Sequence, residues 1–379
     1  MQMKVILSRK GFDMKHGKIP SPILPDGTLL LLPRPDDAGF LRYDELFYQG
    51  TSYLDIIRQL NPSIAEELKD ARCFPSPDIS PDTYSTPKDW KPTFTQYGPS
   101  EGHLSSQKVS VGDIFLFFGW FRQTTYDDQH QLTYVSDAPD LHIICSYLQI
   151  GSIIKNKNFI LKKYTWNKLV DNFIKTSKHY SVYLPTKKLS YNNKQDGFGQ
   201  LVFAQNLILT KQGLPYHKWI LPDLFRQQDV TISYHNNYTN GFIPGKDYFQ
   251  SSNIGQEFVI NGTHDLRAWV CRLIYNKAVI SSLEEDHNIL GQVTHINYPD
   301  SDGYIYCRKH NKVMKVDGAA CKLCQCFSNL INDHSVECYW TDYLPEPLEF
   351  CKVKDPTEEF KRVNWLLEKQ FIPKISEGN

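Results

Sequence analysis

The chain has 379 residues, Lys plus Arg and Asp plus Glu balance at 42 each, and 13% of residues are aromatic. That length allows two or three domains with a sizeable core, so folding needs no disulfides. The balance excludes a binder working through a global positive field, and any nucleic-acid contact must use a local patch. The 22 Tyr and 21 Phe fit a β-rich protein, because flat rings pack well on pleated surfaces, and four Met leave little material for a flexible helical groove. "MQMKVILSRKG" carries only a short apolar run before its basic pair, unlike a secretory signal, and no stretch reaches the roughly 18 apolar residues of a membrane span. The expectation is a soluble cytoplasmic protein without a membrane partner, in which the Asn-x-Thr sequences at Asn237 and Asn261 have no role.

In chain order, "MKVILS" is a short apolar strand that ends in Ser8, Arg9, Lys10 and Gly11, followed by a loop stiffened by Pro20, Pro22 and Pro25. "TLLLLP" then reads as a second strand closed by Pro33, giving a strand, loop, strand opening. "SYLDIIRQL" and "SIAEELKDA" have apolar residues at helical spacing, with Asn61-Pro62 as cap and first turn of the second helix. Residues 74–93 are proline-rich without periodicity and read as an ordered surface loop. "DIFLFFGWFR" (113–122) and "LHIICSYLQIGSII" (141–154) are unbroken apolar runs, the pattern of central strands covered on both faces. "TWNKLVDNFIKT" predicts a helix, "YSVYLP" and "LVFAQNLILT" predict strands, and residues 265–286 predict a long helix closing a first domain. Beyond it, short strands such as "YIY" and "VECYW" surround cysteines, and "PTEEFKRVNWLLEKQF" forms a terminal helix.

Six of the nine cysteines crowd between Cys307 and Cys351. In a reducing compartment such crowding points to metal rather than disulfides. Cys307-x2-His310 and Cys321-x2-Cys324, ten residues apart, are two pairs whose tight turns can each aim two ligands at one ion, completing the tetrahedron zinc prefers. Four protein ligands leave no open position, so the expected Zn2+ is structural, and "YIY" is similar to the hairpin entry of a zinc ribbon. Cys326, His334, Cys338 and Cys351 offer competing ligand sets, and cysteines also serve as small core residues.

Four stretches, "ILSRKGFDMKHGKIPSPILPDG" (6–27), "FTQYGPSEGHL" (94–104), "VGDIFLFFGWFR" (111–122) and "GQEFVI" (255–260), together resemble the nucleotide modification associated domain 3 family, over about residues 4–275. "LHIICSYLQIG" is similar to its further strand. The family occurs in bacteria and their phages and is associated with DNA base modification by gene neighbourhood. The resemblance implies a protein that acts on, or assists action on, a nucleobase, partnered by nucleic acid or a nucleotide and by proteins of a DNA-modification system. A non-catalytic module recognising modified DNA or a partner is the alternative. Where the family tends to show His-Leu-Asp-Pro-Asp, this chain has "RCFPSPDI", which keeps Asp78 and lacks the histidine.

Each matching stretch joins a strand to polar or small residues at its end, where binding sites are usually built. Arg9 and Lys10 suit a phosphate, Gly11 allows close backbone approach, and Gln96 can read a base edge. Ser8, Ser21 and Arg122, from the same stretches, join this substrate- or phosphate-binding set. His103 is the general acid or base candidate because imidazole titrates near neutrality, and Asp13 and Asp26 are candidate carboxylates beside it. Trp120 and Phe121 can stack a base. Each has a plainer reading: Arg9-Lys10 as a solvated strand end, Asp26-Gly27 as a turn, Trp120 as core, and His142 and His179 as packed or capping residues. No phosphate-binding glycine loop, serine elbow, kinase signature or zinc-deaminase signature is present. The expected architecture is α+β or mixed α/β: a largely buried central sheet with flanking helices over residues 1–280, and a small zinc-ribbon-like domain over 281–379. Arg9, Gln96 and His103 are expected to line one cavity at the rim of the sheet.

Overall fold

The computed structural model describes residues 3–156, 159–160, 179–227, 229–234, 242, 248–251, 257–262 and 266–274, and strand backbones at 295–297, 304–307, 312–315, 327–331 and 335–338. It divides into two compact units, Met1–Val270 and Cys271–Asn379. In the first unit Val5–Arg9 forms β1, buried along its whole length as a strand covered on both faces must be. After the loop comes β2, Ser21–Ile23. The second strand therefore lies earlier than expected, because "TLLLLP" makes only single bridges, at Thr28 and Leu29. Its backbone is engaged by the loop instead: Leu32 N–H donates to Ser21 Oγ (3.1 Å), and Phe12 N–H donates to the Leu32 carbonyl (3.0 Å). Its Leu29, Leu30 and Leu32 are buried all the same.

The two expected helices form as α1, Tyr53–Leu60, and α2, Pro62–Leu68. Ser52 Oγ accepts from Asp55 N–H (3.1 Å) and Asn61 Oδ1 from Ile64 N–H (3.1 Å), with Pro62 in the first turn where its missing N–H costs nothing. Their apolar faces join Phe12, Leu32 and Tyr43 in one cluster. There follow β3 (Phe94–Tyr97), α3 (Gly98–Ser106), β4 (Ile114–Tyr126), β5 (Leu132–Tyr134), β6 (Leu141–Ile154), β7 (Tyr180–Pro185) and β8 (Phe198–Gln200). The predicted strand at "LVFAQNLILT" is instead irregular. A short 3-10 turn at Gln205–Leu207 interrupts it, so that Leu201 N–H reaches the Cys145 carbonyl and Leu209 N–H that of His142 as isolated contacts. Further along come β9 (Lys218–Trp219), β10 (Thr231–Ile232), β11 (Phe249–Gln250) and β12 (Glu257–Asn261). Residues 266–274 are helical, inside the span expected for the long helix.

Ten strands share one sheet in the order β10-β12-β1-β4-β6-β7-β3, with β8 paired to β6 and both β2 and β5 paired to β4. It is mixed: β1 and β2 run parallel to β4, while the other pairings are antiparallel. The two long apolar runs are its central strands, as their composition predicts, and the whole is the expected α+β architecture. The sheet also doubles back on itself. Phe94 of β3, at one edge, packs edge-on against Phe115 and Phe117 of central β4, with ring centroids 4.9 Å apart in both cases, and stacks on Tyr183 of β7 at 5.8 Å. The face enclosed by this roll is called inner here; Tyr216 and Trp219 supply aromatic rings to the outer face, where Trp219 packs on Phe118 at 5.0 Å.

In the second unit β13 (His295–Asn297), β17 (Ser335–Cys338) and β16 (Phe327–Ile331) make a three-stranded antiparallel sheet, and β14 (Tyr304–Cys307) pairs with β15 (Lys312–Lys315) as a hairpin. "YIY" and the "VEC" part of "VECYW" thus lie in strands. The expected zinc ligands His310, Cys321 and Cys324 lie outside the described residues, as does the side chain of Cys307. So do the expected helices at 165–176 and 356–371.

Because one ring joins the two layers of the roll, Phe94→Ala is expected to lower stability by about 3–5 kcal/mol, the usual cost of emptying a buried phenylalanine site. Met14→Ala, at a position 60% exposed, is the control and should change it by less than about 0.5 kcal/mol. Denaturant unfolding of the two variants measures the difference.

A candidate functional site inside the curled sheet

Side-chain alternation along β1 sends Ser8 and Lys10 to the inner face and Leu7 and Arg9 to the outer one. The register shows it: Ser8 lies opposite Glu257 and Phe117, and Arg9 opposite Phe118. Phe117 packs against Phe94 inside the roll, whereas Phe118 packs against His142 and Trp219 outside it. Arg9, Gln96 and His103 therefore do not line one cavity. The sheet itself separates Arg9 from the other two.

On the inner face Glu257, 4% exposed, opens β12. Its Oε1 accepts from Lys10 Nζ at 3.1 Å and from Gln96 Nε2 in a short bond, while Oε2 has no partner among the described residues. Ser8 Oγ, fully buried, likewise has none there. Lys10 also lies 4.5 Å from the centroid of the Phe94 ring, a cation–π contact. Burial lowers the ammonium's pKa, against the opposing pull of Glu257. The backbone turns away directly after Lys10 through Gly11, whose φ of +77° and closeness to Leu31 exclude a side chain; a Cβ there would stand 2.5 Å from Leu31 Cδ1.

Helix α3 brings a second carboxylate and an imidazole to the same end. Glu101, 1% exposed, accepts from the hydroxyls of Ser181 and Tyr183, both at 2.7 Å, and of Ser105 at 2.9 Å. Burial and this carboxylate raise the Tyr183 pKa, and the field of Glu257 adds to the effect. His103 Nε2 lies 3.0 Å from Ser233 Oγ, which accepts from Val259 N–H at 2.8 Å and faces the Glu257 carbonyl at 3.4 Å. Burial lowers the His103 pKa more than Glu257 raises it, so the ring is neutral at neutral pH and able to accept a proton. Tyr234 stacks on it at 4.0 Å, with φ of +68° and 55% of its surface exposed. The site thus grades from a buried carboxylate–amine–amide group, through Ser233 and His103, to an exposed aromatic ring.

Of the residues singled out from sequence, Ser8, Lys10, Gln96 and His103 meet here. The others are engaged elsewhere. Asp13 closes its own loop, accepting from Lys15 N–H, His16 N–H and His16 Nδ1; burial alone would raise its pKa, but these donors outweigh it and lower it. Asp26 is exposed and accepts from Thr28 N–H and the Tyr48 hydroxyl. Ser21 takes Leu32 N–H, and Arg122 pairs with Asp140 at 2.7 Å over the Tyr134 ring. Trp120 and Phe121 are buried. Sequence reading passed over Glu101, Glu257, Ser233 and Tyr234. Neither glutamate carried a local signal, since Glu101 sits in a polar helix and Glu257 is the first, polar residue of its strand.

Asp78, in the stretch where the family histidine is absent, is structural: the Tyr84 hydroxyl donates to it at 2.8 Å, as does Trp90 Nε1 at 3.1 Å. Neighbouring Pro75, Ser76, Pro77 and Ile79 line a hollow of about 50 Å³ with Cys145 in its wall. Burial pushes that thiol up to about 12, which removes it as a nucleophile. No group of three or more metal-ligating side chains occurs among the described residues, and no helix among them is long and apolar enough to cross a membrane.

The fold and the site together define a mixed-sheet α+β protein with a buried acid–amine cluster at one end of a curled sheet. The sequence model of nucleotide modification associated domain 3 matches residues 4–261, from the start of β1 to the end of β12. The chain belongs to that family. No curated protein and no solved structure matches it.

Burial raises the Asp78 carboxyl to about 6, only partly offset by its two donors. The folded state then holds this proton more tightly than the unfolded chain does. The contribution to stability is complete below about pH 4 and is lost as pH rises through about 6, a difference of about 3 kcal/mol. Asp78→Asn does not titrate, so its stability should gain on the parent by that order between pH 4 and 7, as followed by urea unfolding at each pH.

Proposed function

We propose that the protein takes part in modification of a nucleobase, and that the base is held at the Glu257–His103 cluster. The observation that carries the reading is the carboxylate of Glu257: buried, fixed on one oxygen by Lys10 and Gln96, and without a partner on the other among the described residues. Such an oxygen suits a ring N–H or exocyclic amine on the edge of a base. Tyr234, stacked on His103, offers an exposed face on which a base can lie. His103, neutral and hydrogen-bonded to Ser233, is the group to take a proton from the base or an attacking group, and Ser233 ties its position to the backbone of β12. Family membership supports the same substrate class.

The test is mass spectrometry of nucleosides from cells carrying the gene with its neighbours. Glu257→Gln keeps the shape and removes the charge, and His103→Ala removes the proton acceptor. Each is expected to lower the modified nucleoside by about 100-fold or more while the variant protein stays folded. Asp26→Asn, on an exposed turn, should leave it unchanged. An unaltered nucleoside profile in both site variants would remove the cluster from the reaction.

A further inference from the structure

The free oxygen of Glu257 has a counterpart across the sheet. Ser8 of β1 and Glu257 of β12 are direct partners in the antiparallel register, so their side chains stand on the same inner face with Cβ atoms about 4.5–5.5 Å apart. Ser8 is fully buried and Glu257 is 4% exposed, which keeps bulk water from both. A hydroxyl and a carboxylate on facing residues are able to bond to each other. These two do not: Ser8 Oγ and Glu257 Oε2 each lack a partner among the described residues. Lys10 Nζ, at 3.1 Å, and Gln96 Nε2 both donate to Oε1, which holds the carboxylate from one side and leaves Oε2 and the facing hydroxyl to be bridged by a third group.

The chemistry of that group follows from what the two atoms are able to do. A carboxylate oxygen only accepts, so the group must offer it an N–H or O–H. A hydroxyl does both, but a buried donor hydrogen left unmatched costs more than an idle lone pair, so Ser8 donates. The missing partner therefore presents one acceptor beside one donor. Every nucleobase carries such a pair on the edge it uses in base pairing: N1 beside the N6 amine in adenine, N3 beside the N4 amine in cytosine, O4 beside N3–H in thymine and O6 beside N1–H in guanine. In the major groove of an intact duplex only adenine, among single bases, shows an acceptor beside a donor. Side chains buried this far inside a sheet do not reach into a groove.

We infer that the substrate is an unpaired nucleobase, entering by its pairing edge, with Ser8 donating to the ring acceptor while Glu257 Oε2 takes the neighbouring N–H. The inference rests on the placement of the base at Glu257 and adds to it the edge that is read and the state of the nucleic acid. The base belongs to a free nucleotide or to a strand whose base is out of the stack, and the same experiment separates these sources.

Fluorescence anisotropy follows the full chain binding a labelled single strand of mixed sequence, the same strand in a perfect duplex, and that duplex with one mismatched pair, in salt high enough to suppress phosphate contacts. The single strand should bind saturably and the perfect duplex about tenfold more weakly or worse, because a base must first be extruded; the mismatch should recover part of the loss. Competition by deoxynucleoside 5′-monophosphates assigns the site to free nucleotides if they displace the strand, and to the strand if they do not. Ser8→Ala should weaken binding roughly three- to tenfold, the worth of one hydrogen bond, while its melting temperature without ligand stays the same or rises, because an unmatched buried hydroxyl has been removed. A perfect duplex bound as tightly as the single strand, or a Ser8→Ala variant that binds like the parent, would overturn the inference. Glu257→Gln tells the two readings apart: if it loses binding and Ser8→Ala does not, the cluster stands and the edge assignment falls, whereas if it binds like the parent the base is not at the cluster and both fall.

Discussion

The contact on which the rest depends is that of Phe94 with Phe115 and Phe117. Edge strand β3 lies six places along the sheet from β10, yet its phenylalanine packs on the middle of β4. Flat sheets leave the polar ends of their strands in water. By rolling, this one encloses the inner face of β1 and takes Lys10, Glu257 and Glu101 out of solvent with it. Ionised groups survive there only if paired or hydrogen-bonded, and the pairing of Glu257 with Lys10 and Gln96, and of Glu101 with three hydroxyls, follows from that requirement.

The same strand then serves two purposes at once. Arg9 and Lys10 are neighbours in sequence and lie on opposite sides of a sheet, because a strand turns successive side chains through half a revolution. Lys10 pairs with a carboxylate beside the Phe94 ring, whereas Arg9 meets the Tyr216 hydroxyl on the other side. Two adjacent cations that look like one basic patch thereby act in two unconnected environments. Charge counting along the chain cannot reveal this, but strand periodicity can.

Much of the architecture was readable from the residues. The runs 113–122 and 141–154 had to be central strands, because only burial on both faces accommodates so many consecutive apolar side chains, and Asn61-Pro62 announced its helix by capping chemistry alone. The failures have physical causes. "TLLLLP" and "LVFAQNLILT" are as apolar as strands, but their backbone groups are taken by Ser21, by the loop after β1 and by single contacts to β6, and hydrophobicity does not say which partner an N–H will find. The site was half legible. Motif stretches located Ser8, Lys10, Gln96 and His103, yet which groups share a space depends on the roll of the sheet, a long-range feature that no local pattern encodes. Glu257 shows the limit: it reads as an ordinary polar start to a strand until Phe94 closes the roll beside it.

The way β1 and β2 share β4 has a further consequence. Arg9 lies opposite Phe118 and Ser21 opposite Phe121, so residues 10–20 leave and rejoin the same edge of β4 while only Gly119 and Trp120 pass on the other side. The chain makes an excursion out of an otherwise continuous row, and ladder pairing resumes at the same edge however long the detour. Phe12 and Ile19 tie its two ends into the core, but changes confined to its exposed tip at Met14 and Lys15 would leave the hydrogen-bonded lattice in place. A scaffold of this kind can retune what it touches at one margin without renegotiating how it folds.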